Sequence, residues 1–129
     1  MISLKNVTVP ILVAILLTSC GGSKSDSETS EPPELSTAQL VSIGKTLVDN
    51  SDCKTCHHPT NKIIGPSHTE VAQKYAFNDE NIKMLAGKII QGGTGVWGEI
   101  PMTPHPDLSQ EDAEKMAIYV LSLDGEERK

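Results

Sequence analysis

Cys53-Lys54-Thr55-Cys56-His57 is the stretch on which the reading of this chain turns. Two thiols at this spacing, followed at once by an imidazole, fit three kinds of chemistry. A zinc site wants a second pair of ligands, and the one other cysteine, Cys20, sits in a segment with a different use. A thioredoxin-like redox pair belongs in a βαβ context, whereas the periodicity around this motif is helical. The third is covalent haem attachment, in which the two thiols add to the two vinyl groups and the adjacent histidine is thereby positioned to bind iron on one face. The spacing predicts this last use, with Cys53 and Cys56 as the attachment points of one haem c and His57 as an iron ligand.

Composition agrees that something must supplement the core. The chain has 129 residues and four aromatics, Tyr75, Phe77, Trp97 and Tyr119. A folded part of roughly 90 residues with so few bulky side chains stands near the limit at which small domains recruit a disulfide, a metal or a cofactor. The net charge of −6 and the acidic isoelectric point argue against a phosphate-binding surface, so nucleic acid is excluded as a partner.

Residues 1–19 carry Lys5, an apolar run from Val7 to Leu17, and then Leu17-Thr18-Ser19 before Cys20. The run is about half the ~20 residues needed to span a bilayer, so the layout reads as a signal peptide rather than a retained transmembrane helix. Leu-Thr-Ser-Cys resembles the bacterial lipoprotein lipobox, which implies cleavage before Cys20 and acylation of that residue as a membrane anchor. Several acyl chains hold a protein stably where one does not. Residues 21–34 contain no large apolar side chain and cannot repay the entropy of folding. Residues 20–34 are therefore expected to be a lipidated cysteine and a flexible tether with a reach of roughly 20 Å. No repeat or further linker interrupts residues 35–124, which read as one domain, with 125–129 as a C-terminal tail.

The domain reads as all-α. Ser36-Thr37-Ala38-Gln39 has capping-box form, and Leu40, Ile43 and Leu47 follow at helical spacing, which predicts a helix near 37–49. Gly44 inside it admits two readings, a close helix crossing or a tolerated surface glycine. Asn78 or Asp79 opens a helix carrying Ile82, Leu85, Ala86 and Ile89, stopped at Gly92-Gly93, and a shorter helix is expected over 68–75. Ser109 opens a further helix, with Ala113, Met116, Ala117, Val120 and Leu121 on its stripe and Gly125 placed to end it. Residues 92–106 read as an irregular loop, and a loop of about 15 residues in a compact domain is usually functional.

A haem iron closed on both faces needs a second axial ligand, and a thioether sulfur is one such group. Met84 and Met116 fall within helices, where packing is the simpler use. Met102 lies in Ile100-Pro101-Met102-Thr103-Pro104, a loop segment stiffened by its prolines. Met102 is the expected ligand.

From Leu35 to Asp124 the chain resembles the short bacterial single-haem cytochromes c of class I. The resemblance rests on Cys53-x-x-Cys56-His57, Gly65-Pro66, Gly95-Val96-Trp97-Gly98 and Ile100-Pro101-Met102, in family order and spacing. It implies a small cytochrome c fold, four or five helices around one covalently bound haem, and an electron carrier rather than an enzyme. It also implies roles for individual residues. Pro66 should pack by the His57 ring, with its neighbourhood supplying a carbonyl to Nδ1; Trp97 should face the haem and donate its indole N–H to a propionate, core packing being the alternative; and Lys88 should stand near a propionate, a solvated surface lysine being the alternative. Two departures stand out. Leu47-Val48 replaces an aromatic that commonly packs under the helix crossing, and His105 falls where an asparagine frequently bonds the ligand sulfur. That histidine is expected either to take over the bond or to replace Met102 on iron. His58 and His68 are expected on the surface.

The function that follows is a monomeric domain, lipid-anchored to a membrane of the bacterial envelope with its haem in the periplasm. It shuttles single electrons between redox proteins: a quinol-oxidising complex, a terminal oxidase or a reductase. Two rivals remain open, a haem subunit fixed in a respiratory complex, and a gas-binding or peroxidase-like module whose sixth ligand is labile or absent. An extensive exposed apolar patch would favour the subunit and a small apolar rim the carrier.

Overall fold

The computed structural model describes residues 34–129. The leader, Cys20 and the tether lie outside the described residues. Four α-helices follow in chain order: α1 (Thr37–Asp49), α2 (His68–Lys74), α3 (Asp79–Gln91) and α4 (Gln110–Leu121). Short 3₁₀ turns cover Asp52–Thr55 and Ser122–Asp124. Among the described residues there is no strand, only an isolated bridge between Gly93 and Met102.

Each helix begins on a side chain that satisfies its orphan amides. The capping box expected at α1 is formed: Gln39 N–H donates to Ser36 Oγ at 3.4 Å and Ser36 N–H to Gln39 Oε1 at 2.9 Å. A second box, Ser67 with Glu70, opens α2. Asn78 caps α3, and Ser109 caps α4. Glu70 accepts from the Ser67 amide and hydroxyl, and these hydrogen bonds hold its carboxyl below the ordinary value.

Helix α4 is the centre of the packing. The sequence stripe of Ala113, Met116, Ala117, Val120 and Leu121 is buried, and so are Ile118 and Tyr119. A surface helix buries about one face; α4 buries more because α1, α2 and α3 all pack on it. Phe77, Ile82 and Leu121 close one end of the core, while Val48, Val71, Met116 and Tyr119 form the other.

The close-crossing reading of Gly44 is the one the fold realises. Gly44 is buried where α1 crosses α4, and a Cβ built there would run into the Lys115 carbonyl. Alanine normally gains about 1 kcal/mol over glycine inside a helix, but here the backbone of α4 blocks the added methyl. Gly44→Ala is therefore expected to destabilise the protein by about 1–3 kcal/mol net, as an overpacking change does. Denaturant unfolding of the haem-loaded protein checks it, and a stabilised variant would contradict this account of the crossing.

The segment after α4 is pinned to the rest of the domain. Glu126 accepts from Phe77 N–H at 3.0 Å, Lys129 N–H donates to Phe77 O at 3.0 Å, and Arg128 pairs with Asp79 at 2.8 Å at the start of α3. These bonds tie the last residues to the α2–α3 connection.

Candidate functional site

A cavity of about 500 Å³ opens between the helical core and the 92–105 loop. Its inner wall is apolar, with Val48 from α1, Val71 from α2, Leu85 and Ile89 from α3, and Met116 and Val120 from α4. The outer wall is the loop itself, including Val96, Trp97, Ile100 and Met102. Cys53, Cys56, His57 and Pro66 line the floor.

The 3₁₀ turn explains how the floor is built. Ser51 accepts from Cys53 N–H, and both Cys56 N–H and His57 N–H return to Cys53 O, at 3.1 and 2.9 Å. This winding brings both half-buried, free thiols and the imidazole to one cavity. His57 Nδ1 lies 2.7 Å from the Pro66 carbonyl oxygen, which can only accept. The bond therefore fixes the proton on Nδ1 and leaves Nε2 as the nitrogen with a free lone pair, the arrangement a metal-binding histidine requires. Gly65 lies flat against the same ring. A Cβ at that position would stand 2.5 Å from His57 Cε1, so only glycine lets the carbonyl of the next residue reach Nδ1.

Behind His57 lies a residue whose place the sequence reading missed. His68 was expected on the surface; it is buried at 6% exposure, stacked on His57 with ring centroids 5.6 Å apart, and edge-on to Tyr119. Its Nδ1 has no hydrogen-bond partner. Burial, with smaller contributions from the charges of His57 and His58, pushes its pKa down to about 4, so the ring packs as a neutral aromatic slab. The signal was present in the spacing: His68, Val71, Ala72 and Tyr75 recur at i, i+3, i+4 and i+7, which puts His68 on the buried face of α2. His58 is exposed, as expected, and its Nδ1 accepts from the amides of Thr60 and Asn61.

The loop is held at its neck. Met102 N–H donates to Gly93 O at 2.8 Å and Gly93 N–H to Met102 O at 3.3 Å, so the half-buried Met102 side chain is presented from a closed hairpin-like turn. Met116, by contrast, is fully buried in α4, and Met84 is half-buried in α3. Trp97 lies at the cavity, 38% exposed, with Lys74 Nζ 5.3 Å from its ring centroid. It is not a core residue. Lys88 is exposed, lines the cavity and rests near Gly93. Val48 is buried and Leu47 half-buried, so aliphatic side chains fill the position under the helix crossing. The His105 ring is engaged by two oxygen acceptors: its Nδ1 lies 3.2 Å from Ile89 O and its Nε2 3.0 Å from Asp52 Oδ1.

A flat macrocycle with two vinyl arms and two carboxylates fits what these residues offer. The thiols supply covalent attachment, the walls supply apolar contact, His57 offers a free imidazole nitrogen, and Lys88 and the Trp97 indole N–H supply polar groups at the rim. A cavity within the ~300–1,000 Å³ range of cofactor sites accommodates it. Among the described residues no group of three or more His, Cys, Asp or Glu side chains forms a conventional metal site.

Comparison with known proteins agrees. The sequence profile of the cytochrome c family matches residues 41–124. The chain is 42% identical over 77 residues to cytochrome c-552 of Nitrosomonas europaea, covering 60% of this chain and 75% of that one. It is 41% identical over 80 residues to cytochrome c-551 of Ectopseudomonas mendocina, covering 62% of this chain and 96% of that one. The crystal structure of Nitrosomonas europaea cytochrome c552 superposes with a TM-score of 0.57 at 40% identity, covering 61% of this chain and 98% of that one. The chain therefore belongs to the cytochrome c family, carries one haem c bound through Cys53 and Cys56, and transfers electrons rather than catalysing a reaction.

Proposed function

We propose that this electron carrier holds its iron between His57 and Met102, and that it works in the bacterial periplasm, tethered to a membrane through acylated Cys20. The observation that carries the ligation is the bond between His57 Nδ1 and Pro66 O at 2.7 Å, which frees Nε2 on the cavity that Met102 also lines. The bound group supplies a one-electron Fe(II)/Fe(III) couple, and with both axial places taken by the protein no site is left for a substrate. The chain's own work is tuning and docking: apolar walls exclude water, Met102 raises the potential, and Lys88 and Trp97 address the propionates.

The sequence supports the rest of the reading. Residues 1–19 form the lipoprotein signal peptide, residues 20–34 the anchor and tether, and residues 35–124 the haem domain, followed by the 125–129 tail. Redox partners are a quinol-oxidising complex on one side and a terminal oxidase or reductase on the other. A transient carrier is favoured over a fixed subunit by where the exposed apolar side chains fall. Of the seven large ones among the described residues, Ile63, Ile64, Val96, Trp97 and Ile100 line the cavity mouth, which makes a small rim at the site rather than a separate patch.

The visible spectrum of the reduced haem-loaded protein, with and without carbon monoxide, tests the ligation. No carbon monoxide shift is expected. A clear shift would mean an open or weakly held sixth position and would favour the gas-binding or peroxidase-like reading.

A further inference from the structure

His105 stands three residues after Met102, on the loop that presents it. The backbone N–H of His105 reaches Ile89 O and Ile90 O at 3.2 and 3.0 Å, which anchors this end of the loop to the last turn of α3. Its ring reaches further, to Asp52, which opens the 3₁₀ turn carrying Cys53 and Cys56. Both ring partners are oxygen acceptors, so the ring meets them by donating. Nε2–H serves the carboxylate whether the imidazole is neutral or cationic, and Nδ1–H serves the Ile89 carbonyl when it is cationic. Among the described residues, this is the one hydrogen bond between the 92–108 loop and the 50–66 segment. The segments bearing the covalent attachment and the proposed sixth ligand are joined across the cavity by a single pair.

We propose that Asp52 and His105 form a clasp that keeps the Met102 loop shut over the haem, so that His105 is a positioning residue for Met102 and neither a ligand nor a partner of its sulfur. This rests on the ligation proposed above. The loop's backbone ties, the Gly93–Met102 bridge and the His105 N–H bonds to Ile89 O and Ile90 O, close the loop on itself and on α3 and do not fasten it to the attachment turn. Without the clasp the loop keeps its shape but swings more freely from α3. Asp52 is 69% exposed and His105 21%, so the pair is partly screened and its effect is moderate.

The test measures how fast imidazole, used as an external ligand at saturating concentration, replaces the sixth ligand of the ferric haem-loaded protein, a rate limited by loop opening. The rate is followed in the native chain, Asp52→Ala, His105→Ala and the double variant, with Asp52→Asn keeping a hydrogen-bond acceptor but no charge. Each single alanine variant is expected to open about three- to fivefold faster. The double variant should be no faster than the faster single, because both lose the same contact, and Asp52→Asn should fall between native and alanine. The methionine-to-ferric-iron charge-transfer absorption should persist in all of them, with the reduction potential little changed. Unchanged rates, or single effects that multiply in the double variant, overturn the clasp while leaving the ligation intact. Absence of that absorption from the native protein overturns the ligation, and the clasp with it. Its loss only on His105→Ala would make His105 part of the ligation itself and would equally overturn the clasp.

Discussion

A chain carrying Cys53→Ala and Cys56→Ala and prepared free of haem is expected to lose most of its helical circular dichroism and its cooperative unfolding transition, even though neither substitution lies in an α-helix. The reason lies in what fills the molecule. Among the described residues thirteen hydrophobic ones are buried, and four of them, Ala72, Ala86, Ala113 and Ala117, contribute little more than a methyl group. Phe77 and Tyr119 are the aromatics in the core; Trp97 is spent on the cavity mouth. Side chains of α1, α2, α3 and α4 also wall a space of about 500 Å³, so part of what these helices pack against is the group that fills it. Left without its group, that space keeps apolar walls in contact with water, a cost set against a total domain stability of only about 5–15 kcal/mol. Collapse of the walls would relieve the cost but destroy the packing that positions the helices, since isolated helices of 7 to 13 residues are marginal in water. Binding that is restricted to the folded state stabilises it by mass action, and a covalent bond makes that contribution permanent. A haem-free, thiol-free chain that kept a sharp, cooperative melt with native ellipticity would mean the polypeptide core suffices alone, and this description of the fold would fail.

How much of this was legible beforehand differs from element to element for physical reasons. Three helices were readable because each has both a cap and a periodic apolar face: Ser36, Asn78 and Ser109 mark starts that the fold uses, whereas α2 was expected over 68–75 without its Ser67 cap being read. The Cys-x-x-Cys-His turn was readable because its chemistry is local, contained within five consecutive residues. What was not readable depends on residues distant in sequence. The burial of Ile118 and Tyr119 follows from three helices converging on α4, and no single-helix pattern encodes the number of neighbours. The His105–Asp52 pair spans 53 residues, and nothing in either local sequence announces it. His68 is a different case. Its register on α2 was visible, but a polar residue type was read as surface, and what overrides that preference is an aromatic slot between His57 and Tyr119 that exists only once the chain is folded. The 125–129 segment was read as a C-terminal tail; Glu126 and Arg128 fasten it to Phe77 and Asp79, residues some 49 positions away in sequence.

Replacing Met102 by alanine is expected to leave the fold in place and change the iron. The loop neck is made by backbone groups of Met102 and Gly93, at 2.8 and 3.3 Å, and these bonds survive removal of the side chain. Met102 is half-buried in an exposed loop rather than in α4, so stability should fall modestly, by no more than the ~2–5 kcal/mol of a fully buried methionine. The spectroscopic consequences should be far larger. The charge-transfer absorption of the ferric protein should vanish, the reduced protein should take up carbon monoxide, and the potential should drop by on the order of 0.1 V, a fraction of the ~0.8 V that axial ligands control. The sign follows from the chemistry of the donor: a neutral thioether stabilises ferrous iron relative to ferric, and water or a stronger nitrogen base in its place reverses that preference. Met84 cannot substitute, being fixed on α3, and Met116 is locked in the core at 1% exposure. His105 is the nearest alternative along the loop, and to reach iron it must give up Asp52 and Ile89. A Met102→Ala protein that refuses carbon monoxide would show that this exchange occurs, whereas one with an unchanged absorption and potential would show that Met102 was never the ligand.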